Sequence, residues 1–300
     1  MNAETAFKRF FKKQSKFPRF KKKKDKQSMY FVRNKTDCLC ERHRIKIPTL
    51  GWIKLKEKGY IPTKKDIKSG VITKIANRYY VSVLIEIDKS FVKYNYSEGI
   101  GIDLGLKTFA VLSSGKMFKN INKTSRVKKL KKKLIREQRR FSRKWENQKR
   151  KNKKEEATRK NLQKQLVKIQ KINQRLNNIR TDYVNKCVNE VAKTKPEFIT
   201  LEDLNIKGMM KNRHLAKSIS EMNFYTFKQK LITKAKFFSI EVRNADRFFP
   251  SSKMCNHCGA ININLKLSDR IYICDCGYTN DRDLNAAYNL RDLKVYTRLT

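Results

Sequence analysis

Four cysteines in two close pairs, Cys255-Asn-His-Cys258 and Cys274-Asp-Cys276-Gly277, constrain this chain more tightly than any other stretch. Fifteen residues separate the pairs, a spacing that suits two paired-Cys turns facing each other as in a zinc ribbon. Four thiolates complete a tetrahedral shell around Zn²⁺ and leave no position for water, so the expected metal is structural and not catalytic. Its binding supplies roughly 10 to 16 kcal/mol of local folding free energy, which a small loop-rich insert without its own core requires. The single residue between Cys274 and Cys276 makes the second turn tighter than the first and leaves His257 as a substitute ligand, with buried reduced thiols as the alternative. Seven cysteines in all is an odd number, which points to metal ligation in a reducing compartment and away from a disulfide framework. Cys38 and Cys40 have no second pair nearby and read as ordinary thiols.

The rest of the chain is basic. Lys and Arg number 73 against 27 Asp and Glu, a formal charge of +46 that repels itself unless it works opposite a polyanion, nucleic acid first. A disordered basic tail is excluded by 39% hydrophobic and 10% aromatic residues along 300 positions, enough for one large domain or two to three modest ones. The longest apolar stretch, YYVSVLIEI at Tyr79 to Ile87, is a strand and far short of the roughly 20 residues a membrane helix requires. The opening MNAETAFKRFFKKQSKF has no apolar core followed by small residues, so no signal peptide and no membrane is expected, and the predicted location is cytoplasmic.

Residues 1–28 form a short helix and the basic run FPRFKKKKDKQS, in which Phe17, Arg19, Phe20 and Lys21 are candidates for stacking on bases and contacting a phosphate backbone; a solvated tail is the alternative. From 29 to 97, the runs RIKIPTL, WIKLK, GVITKIA and RYYVSVLIEID predict an antiparallel β module, expected to be a small barrel. GIGIDLGLKTFAVLSSGKMFKN then reads as three strands and two turns. Between 122 and 194, Val127, Leu130, Leu134, Phe141 and Trp145 recur at helical steps, and so do Leu162, Leu166, Ile169, Leu176, Ile179, Tyr183, Cys187 and Val191. Two amphipathic helices broken near Asn147 to Lys154 follow, an antiparallel hairpin serving as a solvated arm, a dimerisation zipper or the wall of a nucleic-acid channel. EFITLEDLN and SIEVRNAD predict further strands, 220–238 a helix and DLNAAYNLRDL a closing helix. The element order is that of an RNase H-like α/β fold, shared by other α/β arrangements.

Acids are scarce here, so acids on apolar strands need a reason. Asp103 follows Ile-Gly-Ile, and Glu202 follows Phe198-Ile-Thr-Leu. Asp283 precedes LNAAYNL, where Ala286 and Ala287 permit close packing of a helix on a sheet. A buried carboxylate costs several kcal/mol unless paired, which predicts a cation beside Asp103. Singly, a strand end, a loop start at Glu202 or Asp203, and a helix cap at Asp281 or Asp283 explain them. Jointly, three carboxylates on separate core elements suit two Mg²⁺ ions about 4 Å apart, acting in phosphodiester hydrolysis. Only His43, His214 and His257 exist, and none has an evident triad partner.

GIDLGLKTFAV, ITLEDLNIKGM, FFPSSKMCNHCG and YICDCGYTNDRDLNAAYNL, taken in this order, resemble the OrfB/TnpB family of transposon-encoded proteins, related to type V CRISPR effector nucleases. The resemblance implies a RuvC-like nuclease with Asp103, Glu202 and Asp283 as catalytic, Mg²⁺-holding acids, and a zinc insert on Cys255, Cys258, Cys274 and Cys276. It implies an RNA-guided DNA endonuclease whose guide RNA comes from the transposon end, which cuts a DNA target beside a short adjacent motif and shares its element with a partner transposase. A non-cleaving DNA- or RNA-binding relative is the alternative. The implied organisation is a recognition-region remnant at 1–28, a wedge-like barrel at 29–97, RuvC-like parts at 98–121, 195–249 and 280–300, a helical-hairpin insert at 122–194 and a zinc-ribbon insert at 250–279. Family members begin with a strand and a helical recognition region before a segment like AFKRFF, which stands at residue 6 here, so the first wedge strand and most recognition helices are expected to be missing.

Overall fold

A computed structural model describes residues 2–20, 28–32, 38–63, 65–86, 96–152, 160–266 and 268–299, which divide into a unit ending at Asp88 and a larger one beginning at Lys89. In the first, α1 (Asn2–Phe11) precedes β1 (Ser28–Val32), β2 (Arg44–Ile47), β3 (Gly51–Lys54), β4 (Ile67–Ile75) and β5 (Arg78–Ile85). β1, β4 and β5 make an antiparallel sheet, and β2 and β3 a separate hairpin. Phe31, Ile45, Ile47, Ile61 and Ile67 fill their common core, with Cys38 buried among them. Among the described residues, the ladder is two sheets and not the continuous ring of a closed barrel.

The second unit opens with β6 (Ile100–Leu104), β7 (Thr108–Leu112) and β8 (Met117–Lys119), an antiparallel meander. The hairpin helices follow, α2 (Ser125–Asn152) and α3 (Lys160–Lys193). Then come β9 (Phe198–Leu201), α4 (Ile206–Met209), α5 (Ala216–Met222), α6 (Phe224–Phe238) and β10 (Glu241–Asn244). β11 (Ile271–Ile273) and β12 (Thr279–Asp281) form a small hairpin, and α7 (Arg282–Arg291) and β13 (Thr297–Arg298) end the chain. The main sheet has the order β13-β10-β9-β6-β7-β8, with β10, β9 and β6 parallel and the flanking strands antiparallel. Parallel central strands are buried on both faces, which is why IGI and FITL read as unbroken apolar runs.

Alternation along the strands divides the sheet into two faces. Ile100, Ile102, Ile199 and Leu201 join one core with Phe109, Val184, Val188, Phe224, Phe227 and Leu231, so α3 and α6 cover that face. α7 covers the other, where its backbone lies directly over Gly101: a Cβ there would sit 2.0 Å from the Ala287 carbonyl oxygen and 2.5 Å from the Arg291 nitrogen. Ala286 and Ala287, fully buried, complete this close approach.

α3 serves two cores. Its first half packs on α2 through Val127, Ile172 and Leu176, with Leu130, Leu134 and Ile179 alongside, whereas Val184 to Val191 belong to the sheet core. The apolar stripe expected along both helices thins toward the hairpin tip, where Trp145 and Leu166 are exposed. The seam there is polar: buried Gln165 donates to the Glu137 carboxylate at 2.7 Å and to its backbone carbonyl at 3.1 Å. The base is tied down at Glu221 of α5, which pairs with Arg180 at 3.2 Å and with Lys131.

Candidate functional site

The two-face parity of the sheet decides which acids meet. Gly101 pairs with Thr200 and Ile102 with Leu201 on the parallel strands β6 and β9, so the next step of the register sets Asp103 beside Glu202. Both follow residues of the α3/α6 core and therefore project to the α7 face. Asp203, one residue further, turns to the opposite face, where Arg247 holds it at 2.7 Å and Lys228 of α6 at 3.5 Å. These cations hold the Asp203 carboxyl below its ordinary value, the Arg247 hydrogen bond being the main cause.

At the start of α7, two acids again divide the work. Asp281 is the N-cap, its side chain accepting from the Asp283 and Leu284 amides at 3.0 Å. Asp283, relieved of capping, is partly buried and meets Arg282 at 3.1 Å and Arg270 at 3.9 Å. The helix-cap explanation thus holds for Asp281 and not for Asp283.

Asp103, Glu202 and Asp283 converge from β6, the end of β9 and the start of α7. Burial, then the charges of Glu202 and Asp283, push the Asp103 carboxyl up to about 8, with Arg282 opposing. Burial also raises Glu202, with Asp203 adding to it. The cation expected beside Asp103 makes no ion pair with it: among the described residues none within 4 Å reaches Asp103 or Glu202, whereas Arg282 and Arg270 reach Asp283. The deficit of positive charge at two neighbouring oxygen donors matches a hard divalent cation such as Mg²⁺, which favours carboxylate oxygens. The three carboxylates do not themselves close on a shared point, the Asp283 oxygens being engaged by the two arginines.

The cysteines do close. The sulfurs of Cys255, Cys258, Cys274 and Cys276 all lie within 4.8 Å of one another, with 3.8 Å between Cys255 and Cys276 and 3.6 Å between Cys258 and Cys274. A tetrahedron with Zn–S bonds of about 2.3 Å has edges of about 3.8 Å, so the donor set fits Zn²⁺ in both softness and size. His257, weighed above as a substitute ligand, instead stacks on Tyr278 with ring centroids 6.2 Å apart. Beneath the cluster, the fully buried Tyr272 donates to the Lys253 carbonyl at 3.1 Å, and its phenol is pushed up to about 12 by burial and the surrounding thiols.

Near the N-terminus, Phe17 packs edge-on against Phe7 and Phe10 of α1 at 5.8 and 5.3 Å, while Arg19 and Phe20 are exposed. Lys21 lies outside the described residues. Sequence reasoning missed Gly101 under α7 and the amides Asn285 and Asn289, which are 0% and 1% exposed. Two asparagines four residues apart, beside the alanines of a buried helix, were the available signal.

Residues 82–213 match the OrfB_IS605 family, described as "Probable transposase", and residues 224–290 match the Cas12f1-like TNB domain. A Streptomyces pristinaespiralis protein named "Putative RNA-guided DNA endonuclease" is 30% identical over 96% of this chain and 68% of its own length. An Escherichia coli K12 protein of the same description, InsQ, is 30% identical over 96% of this chain and 71% of its own. The fold is similar to that in a Cas12f1-sgRNA-target DNA complex, with TM-score 0.61 and 16% identity over 99% of this chain and 70% of that one. The 30% identity to these relatives across 96% of this chain and the match to the transposase family show that the chain belongs to the OrfB/TnpB family of transposon-encoded proteins.

Proposed function

We propose that this chain is an RNA-guided, Mg²⁺-dependent DNA endonuclease with a RuvC-like site formed by Asp103, Glu202 and Asp283. The observation that carries the reading is the parity of the two strand ends: Asp103 and Glu202 face one another, with no ion pair among the described residues, on the side of the sheet covered by α7, while Asp203 is consumed by Arg247 and Lys228 on the other. Ion pairs on Asp203 and, among the described residues, none on Asp103 or Glu202 favour a metal-binding role over a merely structural one. Two Mg²⁺ ions at such a site would activate the attacking water and stabilise the leaving 3′ oxygen.

The protein's own residues supply the frame. β6 and β9 fix two carboxylates by hydrogen-bond register, and α7, seated on Gly101, brings the third. Arg282 and Arg270 hold Asp283 until a cation competes for it. The +46 charge supplies the attraction to guide RNA and target DNA. Zn²⁺ on the four cysteines is structural in this scheme, and the 1–28 segment, through Phe17, Arg19, Phe20 and Lys21, is a nucleic-acid contact.

The test is cleavage of a plasmid target library by the chain co-expressed with its flanking transposon RNA, in Mg²⁺, with Asp103→Ala in parallel. Guide-directed cutting that the variant loses supports the reading. RNA retained without any cutting by the unaltered chain refutes it and leaves a nucleic-acid binder.

A further inference from the structure

α7 is held on two sides. Beneath it lies β6, and beside it runs the segment leading into the cysteine cluster. Asn285 donates to the Met254 carbonyl at 2.8 Å and accepts from the Asn256 amide at 3.2 Å. Asn289, one turn on, donates to the Ser251 and Met254 carbonyls at 2.7 Å and accepts from the Asn256 side chain at 3.2 Å. Asn256 also reaches Asp292 at 3.0 Å. Met254 and Asn256 flank the ligand Cys255, so these buried amides bolt the first cysteine turn to the helix that carries Asp283. The second cysteine turn, holding Cys274 and Cys276, connects β11 to β12, whose last residue is the N-cap of α7.

Both halves of the cluster are thus joined to α7, the first along its length through Asn285 and Asn289 and the second at its N-cap. Buried amides tolerate little displacement, because a lost partner leaves an unsatisfied polar group in a dry interior. A cluster opened by metal loss pulls Met254 and Asn256 away from Asn285 and Asn289, and the helix answers at its N-terminus. We infer that Asn285 and Asn289 are positioning residues that couple the cysteine metal to a divalent cation at the carboxylates, each site strengthening the other. This rests on the carboxylates being the cation site proposed above. Coupling between two binding sites is reciprocal, so the factor by which one metal tightens the other is the same in both directions.

The experiment uses the full chain loaded with Zn²⁺ and reads Mn²⁺ binding from the loss of its free-ion electron paramagnetic resonance signal. The expected result for Asn289→Ala is one zinc retained per chain and Mn²⁺ binding weakened by a factor in the roughly 5- to 150-fold range typical of coupling between two sites. In the reverse direction, Mn²⁺ slows zinc transfer to a chromogenic chelator in the unaltered chain and not in Asn289→Ala. An amide that serves stability alone lowers the melting temperature and leaves both readouts unchanged. Should Asn289→Ala fail to fold, Asn256→Ala, at a partly exposed position, carries the same two measurements. Mn²⁺ binding that needs Asp103 and Glu202 yet is unaffected by the folded asparagine variants overturns the coupling and spares the proposed function. Mn²⁺ binding indifferent to Asp103→Ala overturns both.

Discussion

Asp103→Asn tests the site without any nucleic acid. It replaces a carboxyl whose pKa is pushed up to about 8, from an ordinary 3.8, with a neutral amide of nearly the same shape. Below about pH 4, Asp103 is protonated in folded and unfolded chains alike and costs nothing. Between about pH 4 and 8 the unfolded chain releases this proton while the folded chain keeps it. The unfolded state then binds fewer protons, so metal-free stability falls as pH rises. Each unit is worth about 1.4 kcal/mol, so going from pH 5 to pH 8 removes up to about 4 kcal/mol, the loss levelling off as the folded carboxyl ionises too. For a body of this size that is roughly 10 °C in melting temperature. The assay is thermal unfolding in a chelator that spares the zinc, for the unaltered chain and Asp103→Asn, at pH 5 and pH 8. The expected outcome is a gap in favour of the variant that widens by roughly 10 °C at the higher pH, and that Mg²⁺ narrows by stabilising only the unaltered chain. Parallel pH profiles for the two proteins would refute the argument that Asp103 is a desolvated carboxylate beside two others.

Neighbouring acids should separate cleanly: Glu202→Gln abolishes cutting at unchanged or raised stability, whereas Asp203→Asn costs about 1 kcal/mol in unfolding measurements, from its partly exposed ion pairs, and retains cutting. Gly101→Ala drives a methyl group into the α7 backbone, so it is expected to lose about 3 kcal/mol or more and to cut poorly even when folded, as read by denaturant titration and cleavage rate. Metal analysis should return one zinc per chain, Cys255→Ser should lose it, and Co²⁺ substitution should show the intense visible bands of a tetrahedral thiolate site. Gln165→Leu removes the buried amide that donates to Glu137, leaving that carboxylate to Arg140 alone, and is expected to destabilise the hairpin by about 1 kcal/mol, visible as earlier loss of helical circular dichroism.

Much of this was legible in residue order, for identifiable reasons. Metal-ligand spacing is local, so two cysteine pairs announced their cluster, and the same holds for apolar strands with an acid at the end and for two long helices with apolar residues at three- and four-residue steps. Other decisions needed the third dimension. Glu202 and Asp203 are adjacent and chemically alike, and only the register of β6 with β9 assigned one to each face. Asp281 and Asp283 were equal candidates for the cap until the strand-to-helix geometry gave the cap to Asp281. Among the described residues the strands of the β module form two separate ladders, since alternation within strands specifies faces and not which edges join. Trp145 and Leu166 kept the helical period but left the core, since a stripe buries only as far as its partner extends.

The sequence by itself determined the ingredients: the cysteine quartet, the three acids, the basic surface and the order of the elements. Tertiary structure alone decided their alliances, namely which face Asp203 turns to, that a glycine admits α7 onto the sheet, and that two buried asparagines join the segment around Cys255 to α7. Spacing along a chain encodes local geometry, whereas burial, charge neutralisation and hydrogen-bond satisfaction are settled between segments far apart in sequence. No single segment contains that information.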